Sequence, residues 1–116
     1  MSRALLNITH TVNIRAFVEG FYLRTDSMKA ILNAVNFPNL FDLVTVELHS
    51  STAPYSIFYA VADFLDIHGY GSFYFPTQTS GQSYYIVIRH RNSVATWSKY
   101  PVLFNSSNVN FDFTRP

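Results

Sequence analysis

The run Tyr84-Tyr85-Ile86-Val87-Ile88-Arg89-His90-Arg91 carries the strongest β signal in the chain. Read with period two, Ile86, Ile88 and His90 fall on one face, and Tyr85, Val87 and Arg89 on the other. The same alternation recurs on both sides of it. Val12, Ile14, Ala16 and Val18 alternate with Asn13, Arg15, Phe17 and Glu19, and Val44, Val46 and Leu48 alternate with Thr45, Glu47 and His49. Tyr55, Ile57, Tyr59 and Val61 alternate with Ser56, Phe58, Ala60 and Ala62. Phe73 and Phe75 flank Tyr74 ahead of Pro76, and Val109, Phe111 and Phe113 close the series.

Between these runs lie turn clusters: 50–54, His68-Gly-Tyr-Gly71, 76–81 and 105–108. Short alternating strands separated by turn signals predict an all-β chain folded as one antiparallel β-sandwich of about seven strands. Residues 12–116 form that domain. Residues 1–11 read as a β-prone arm, with Leu5, Leu6 and Ile8 able to serve as a donated strand. One segment fits two periods: Met28, Ile31, Leu32 and Val35 match a short helix, while Met28, Ala30 and Leu32 line one side of a strand. The all-β surroundings favour the strand, since helices of so few residues are marginal alone.

A chain of 116 residues matches a single domain. Its 11 Phe, 8 Tyr and one Trp outnumber its 8 Lys and Arg plus 7 Asp and Glu. That balance excludes a disordered chain, and a net charge of +1 argues against a nucleic-acid binder, which would carry a basic stripe. Without Cys there is no disulfide, thiolate metal site or thiol nucleophile. No apolar run approaches the ~20 residues of a spanning helix, so membrane insertion is not expected. The N-terminal residues lack the apolar stretch of a signal peptide.

Catalytic groupings are sparse. Asp63 and Asp66 are the only close carboxylates and read as a turn pair before Gly69, not as a facing acid and base. His10, His49, His68 and His90 stand singly, outside any metal-binding spacing. His49 and His68 read as solvated turn residues. No catalytic residue, cofactor or metal is expected. Arg89 and Arg91 share a face and could clamp a carboxylate or phosphate, or pair with acids of a neighbouring strand. Trp97, with Tyr70, Tyr74 and Tyr100, could form a stacking or docking surface. Two glycosylation acceptor patterns start at Asn7 and Asn105.

The segments Phe17–Tyr22, Asp42–Leu48, Gly71–Phe75, Tyr84–Asn92, Trp97-Ser98, Pro101–Phe104 and Phe111–Thr114 together resemble a domain of secreted Bacteroidetes surface and adhesin-like proteins, the cargo of type IX secretion. The resemblance runs from about Val12 to Thr114, and its most specific part is the YYIVIRHRN run. It implies an immunoglobulin-like or prealbumin-like sandwich, a place outside the cell or on its surface, and no enzymatic activity. Together with the open edges of any sandwich, it leads to an expectation of a structural or adhesive module. Such a module would assemble with itself, as an oligomer or a filament, by edge pairing or exchange of the N-terminal strand. The rival expectation is a carbohydrate-binding module that stacks a glycan on Trp97 and exposed tyrosines, for which a planar row of rings is required.

Overall fold

The computed structural model describes residues 10–18, 22, 23, 27, 28, 36, 39–91 and 93–114. The strands are β1 (His10–Arg15), β2 (Tyr22–Leu23), β3 (Ser27–Met28), β4 (Leu40–Ser50) and β5 (Ile57–Asp66). They continue with β6 (Tyr70–Phe75), β7 (Ser83–Arg89), β8 (Thr96–Trp97), β9 (Val102–Leu103) and β10 (Asn108–Asp112). One 3-10 turn, Thr77–Thr79, joins β6 to β7. Among the described residues there is no α-helix.

Two sheets face each other. One has the order β10-β1-β6, and the other runs β5-β4-β7-β8 with β9 also on the outer side of β7. A small β2-β3 pair stands apart. The expected all-β sandwich is therefore present. Among the described residues every pairing is antiparallel except β1 with β10, which run parallel from Thr11↔Asn108 to Arg15↔Asp112.

The alternation read from the sequence fills the space between the sheets. Val12 and Ile14 of β1, with Phe73 and Phe75 of β6, meet Val44, Val46 and Leu48 of β4 and Ile86 and Ile88 of β7. Each such side chain contributes about 1.5–3 kcal/mol by leaving water. Burial of Ala16 and Val18 continues beyond the last rung of β1, so the hydrophobic period outlasts the hydrogen-bonded ladder. Phe104 closes one end of the core, edge-on to Phe75 and Tyr84.

Two readings change, and a third is described only at its two ends. His10 and Thr11, assigned to the arm, are the first rungs of β1 and pair with Phe75 and Tyr74. Of the 28–36 segment only Met28 and Asn36 are described. Met28 lies in β3, fully buried, and residues 29–35 lie outside the described residues. His49, expected to be solvated, is 5% exposed within β4.

β8 and β9 are two halves of one interrupted strand. Val87↔Trp97 and Ser83↔Leu103 bracket a stretch in which 98–101 stand opposite only Tyr85 and Ile86. The bulge keeps its bonds through Ser98: its backbone N–H donates to the Ile86 carbonyl at 2.8 Å, and its Oγ accepts the Ile86 N–H at 3.0 Å. Pro101, which has no N–H to donate, fits at such an interruption.

Candidate functional site

The solvent-side face of the five-stranded sheet holds a polar cluster of Glu47, His49 and Arg89. Glu47 and His49 leave β4 on this face, because Val46 and Leu48 point into the core. Glu47 Oε1 lies 2.7 Å from His49 Nε2, and its Oε2 accepts Arg89 Nε–H at 2.8 Å from the adjoining strand. His49 Nδ1 lies 2.8 Å from the carbonyl oxygen of Tyr55, a residue held at φ 59° in the turn before β5. Burial alone would push the Glu47 carboxyl up. The hydrogen bonds and charges of His49 and Arg89 outweigh it, so the pKa sits below its ordinary value.

Aromatic rings roof this pair. Trp97, opposite Val87 in the ladder, reaches His49 with 4.5 Å between ring centroids. Tyr85 stands 5.9 Å from Trp97 at 60°, and Tyr55 meets Tyr85 edge-on at 84°. These rings form a folded cover, not the flat row that a stacking platform for a glycan requires.

Arg89 and Arg91 do not converge. Arg89 goes to Glu47, and Arg91 Nη2 lies 2.9 Å from Asp42 Oδ2, which is also 2.9 Å from His90 Nε2. Both arginines thus pair with acids of β4, the neighbouring-strand alternative, and the shared anion clamp is not formed. Asp42 is fully buried, and its Oδ1 has no hydrogen-bond partner among the described residues.

The expected tyrosines are dispersed. Tyr70 and Tyr74 lie on the outer face of the three-stranded sheet, and the Arg15 guanidinium stacks on Tyr70 at 4.8 Å. Tyr100 is 59% exposed in the β8–β9 bulge and packs edge-on against Phe111. Leu5, Leu6 and Ile8 lie outside the described residues. Asp63 and Asp66 are not the turn pair that was expected: Asp63 is a ladder residue of β5 opposite Val44, and Asp66 is the last residue of that strand, its Oδ1 accepting the N–H groups of His68 and Tyr70 in the turn that follows. Among the described residues, no three His, Asp or Glu side chains are placed to hold a metal ion. No helix there is long and apolar enough to cross a membrane.

A cleft of about 470 Å³ lies between β8 and β10, and one of about 310 Å³ lies between the chain that follows β1 and the segment entering β8; the two share Thr96 and Phe113. Their walls mix polar and apolar groups and hold no facing pair of carboxylates.

The opposite side carries a feature that the sequence pattern did not reveal. β5 is an edge strand of 10 residues, and no strand pairs with its outer side among the described residues. Alternation predicts that one of its faces is covered. Instead Ile57, Phe58 and Tyr59 are 53%, 50% and 42% exposed, so apolar groups are open on both faces. A register shift between Leu48 and His49 places a bulge at this end of the strand. Phe58 stacks on Tyr84 and Tyr59 meets Phe75 edge-on, with Phe58 and Tyr59 still leaving much of their surface in water. The charges of β5, Asp63 and Asp66, are confined to its far end. There the Asp63 carboxylate accepts the Phe64 N–H at 2.7 Å.

Searches against protein-family models, curated proteins and solved structures find no match to this chain.

Proposed function

We propose that this chain is a non-catalytic structural or adhesive β-sandwich module that assembles with itself by pairing through a sheet edge. The observation that carries the reading is the Ile57–Ala62 half of β5, which is uncharged and exposed on both faces. A row of unpaired N–H and C=O groups flanked by apolar side chains is a template for another strand. Natural edges are normally blunted by Lys, Pro, a bulge or a short length; this half of β5 has no Lys or Pro in a strand of 10 residues, and its one irregularity is the bulge at Phe58, which leaves 59–62 in regular register. The resemblance to secreted surface proteins adds a place outside the cell or on its surface. Exchange of the N-terminal strand is the other route to the same function, and the edge route has the structural support.

The test is the mass in solution of the native chain and of Ala60→Lys, a change at an exposed edge position that leaves the core untouched. Light scattering is expected to give a multiple of 13.3 kDa for the native chain and the single-chain mass for the variant, with the same circular dichroism. A native chain that stays at the single-chain mass at every concentration overturns the proposal.

A further inference from the structure

We infer that β5 pairs with β5 of a second copy about a two-fold axis, closing a dimer in which two five-stranded sheets become one. The inference rests on the edge-pairing reading above and names its partner and symmetry.

A filament needs two different open edges, because head-to-tail contacts repeat without closing. The five-stranded sheet offers only one. Its other edge is broken into β8 and β9, two residues each, and between them stand Lys99, Pro101 and a bulge whose Ser98 satisfies Ile86 internally. Those are the features that make an edge refuse a partner. In the three-stranded sheet, β10 presents Asn108 and Asn110 to solvent and ends in the half-buried Asp112, and β6 lies beside β5 where the chain turns through 67–69. The open half of β5 is therefore left with its own copy as the matching surface.

Charge sets the direction. Parallel in-register pairing would set Asp63 against Asp63 and Asp66 against Asp66, an unfavourable placement of like charges. Antiparallel pairing sends the acidic end of each strand beyond the uncharged half of the other. Residues directly opposite in an antiparallel pair share a face, so the two-fold axis must pass beside a residue and not between two. Centring the overlap on the open half places that residue at Tyr59, Ala60 or Val61. Phe58 and Tyr59 of each copy then gain cover from the neighbouring strand.

The absence of Cys makes the axis directly readable. Tyr59→Cys, Ala60→Cys and Val61→Cys are made singly, oxidised and run on non-reducing gels beside light scattering of the native chain. The expected result is a dimer mass for the native chain and a covalent dimer from at least one of the three variants, reversed by reductant. An assembly larger than a dimer, or a dimer in which none of the three cross-links, overturns the β5–β5 pairing while leaving self-assembly standing. A native chain that is a monomer throughout overturns both. Ala60→Lys should convert the dimer to monomer, and unchanged thermal unfolding of its monomer shows that the sandwich itself is intact.

Discussion

The indole of Trp97 and the imidazole of His49 meet at 4.5 Å, tilted 54° to each other, on what would otherwise be the wet side of the five-stranded sheet. Trp97 is 42% exposed and His49 is 5% exposed, so one ring shelters the other. Replacing Trp97 with Ala should therefore cost stability, about 1–3 kcal/mol given that the ring is only partly buried. Urea unfolding measures it. The Trp97→Phe variant should recover much of the loss, as it restores apolar cover over the Glu47–His49 pair.

Acid should weaken the fold through Glu47. Its native pKa lies below the ordinary value of 4.5, so on acidification the unfolded chain takes up the proton first. The stabilisation it provides is complete above about pH 4.5 and is lost as pH falls through the depressed native value. Urea midpoints measured from pH 7 down to pH 3 should show this slope. Glu47→Gln should be less stable at pH 7 by about 1–3 kcal/mol and flatter across that range.

Ser98 substitutes for a rung of the ladder. Its Oγ accepts the Ile86 N–H and donates to the Tyr100 carbonyl at 3.0 Å, with Ser98 itself 3% exposed. Ser98→Ala leaves a buried amide without an acceptor and should cost about 1–3 kcal/mol. The Ile86 amide proton should exchange faster in the variant, which separates a lost hydrogen bond from a general loosening.

Two glycines with the same backbone sign should respond unequally. Gly69 and Gly81 have φ of 87° and 81°, where any side chain costs about 1–2 kcal/mol. A Cβ on Gly81 meets open space, whereas one on Gly69 would fall 2.4 Å from the Ala16 carbonyl oxygen. Gly81→Ala should lose only the conformational cost. Gly69→Ala should lose clearly more, since the clash is with backbone that also donates the Ala16 N–H to the Gly69 carbonyl at 2.9 Å. Thermal melts of the two variants compare them directly.

Much of the sandwich was legible because burial leaves a period-two trace. Val12 and Ile14, Val46 and Leu48, and Ile86 and Ile88 all face the core as their alternation required. The trace fails where position in the sheet decides exposure. β5 alternates like the others, yet a pattern of side chains does not say whether a neighbouring strand lies beyond it. β8 and β9 are too short to show any period. His49 was misread because its shelter comes from Trp97 in another strand. Arg89 and Arg91 share a side in the sequence pattern, but Glu47 and Asp42 stand at different heights along β4 and draw them apart.

The parallel ladder between β1 and β10 sets how the sandwich would meet a pull on its flanking segments. The chain begins β1 at the Thr11–Asn108 end and leaves β10 at the Arg15–Asp112 end. A pull on the two flanking segments is thus directed along both strands in opposite senses. Every rung from Thr11 to Arg15 bears the load at once, in shear, instead of opening one after another as in a hairpin peeled from its end. Pulled in these senses, β1 and β10 resist together as a ladder in shear.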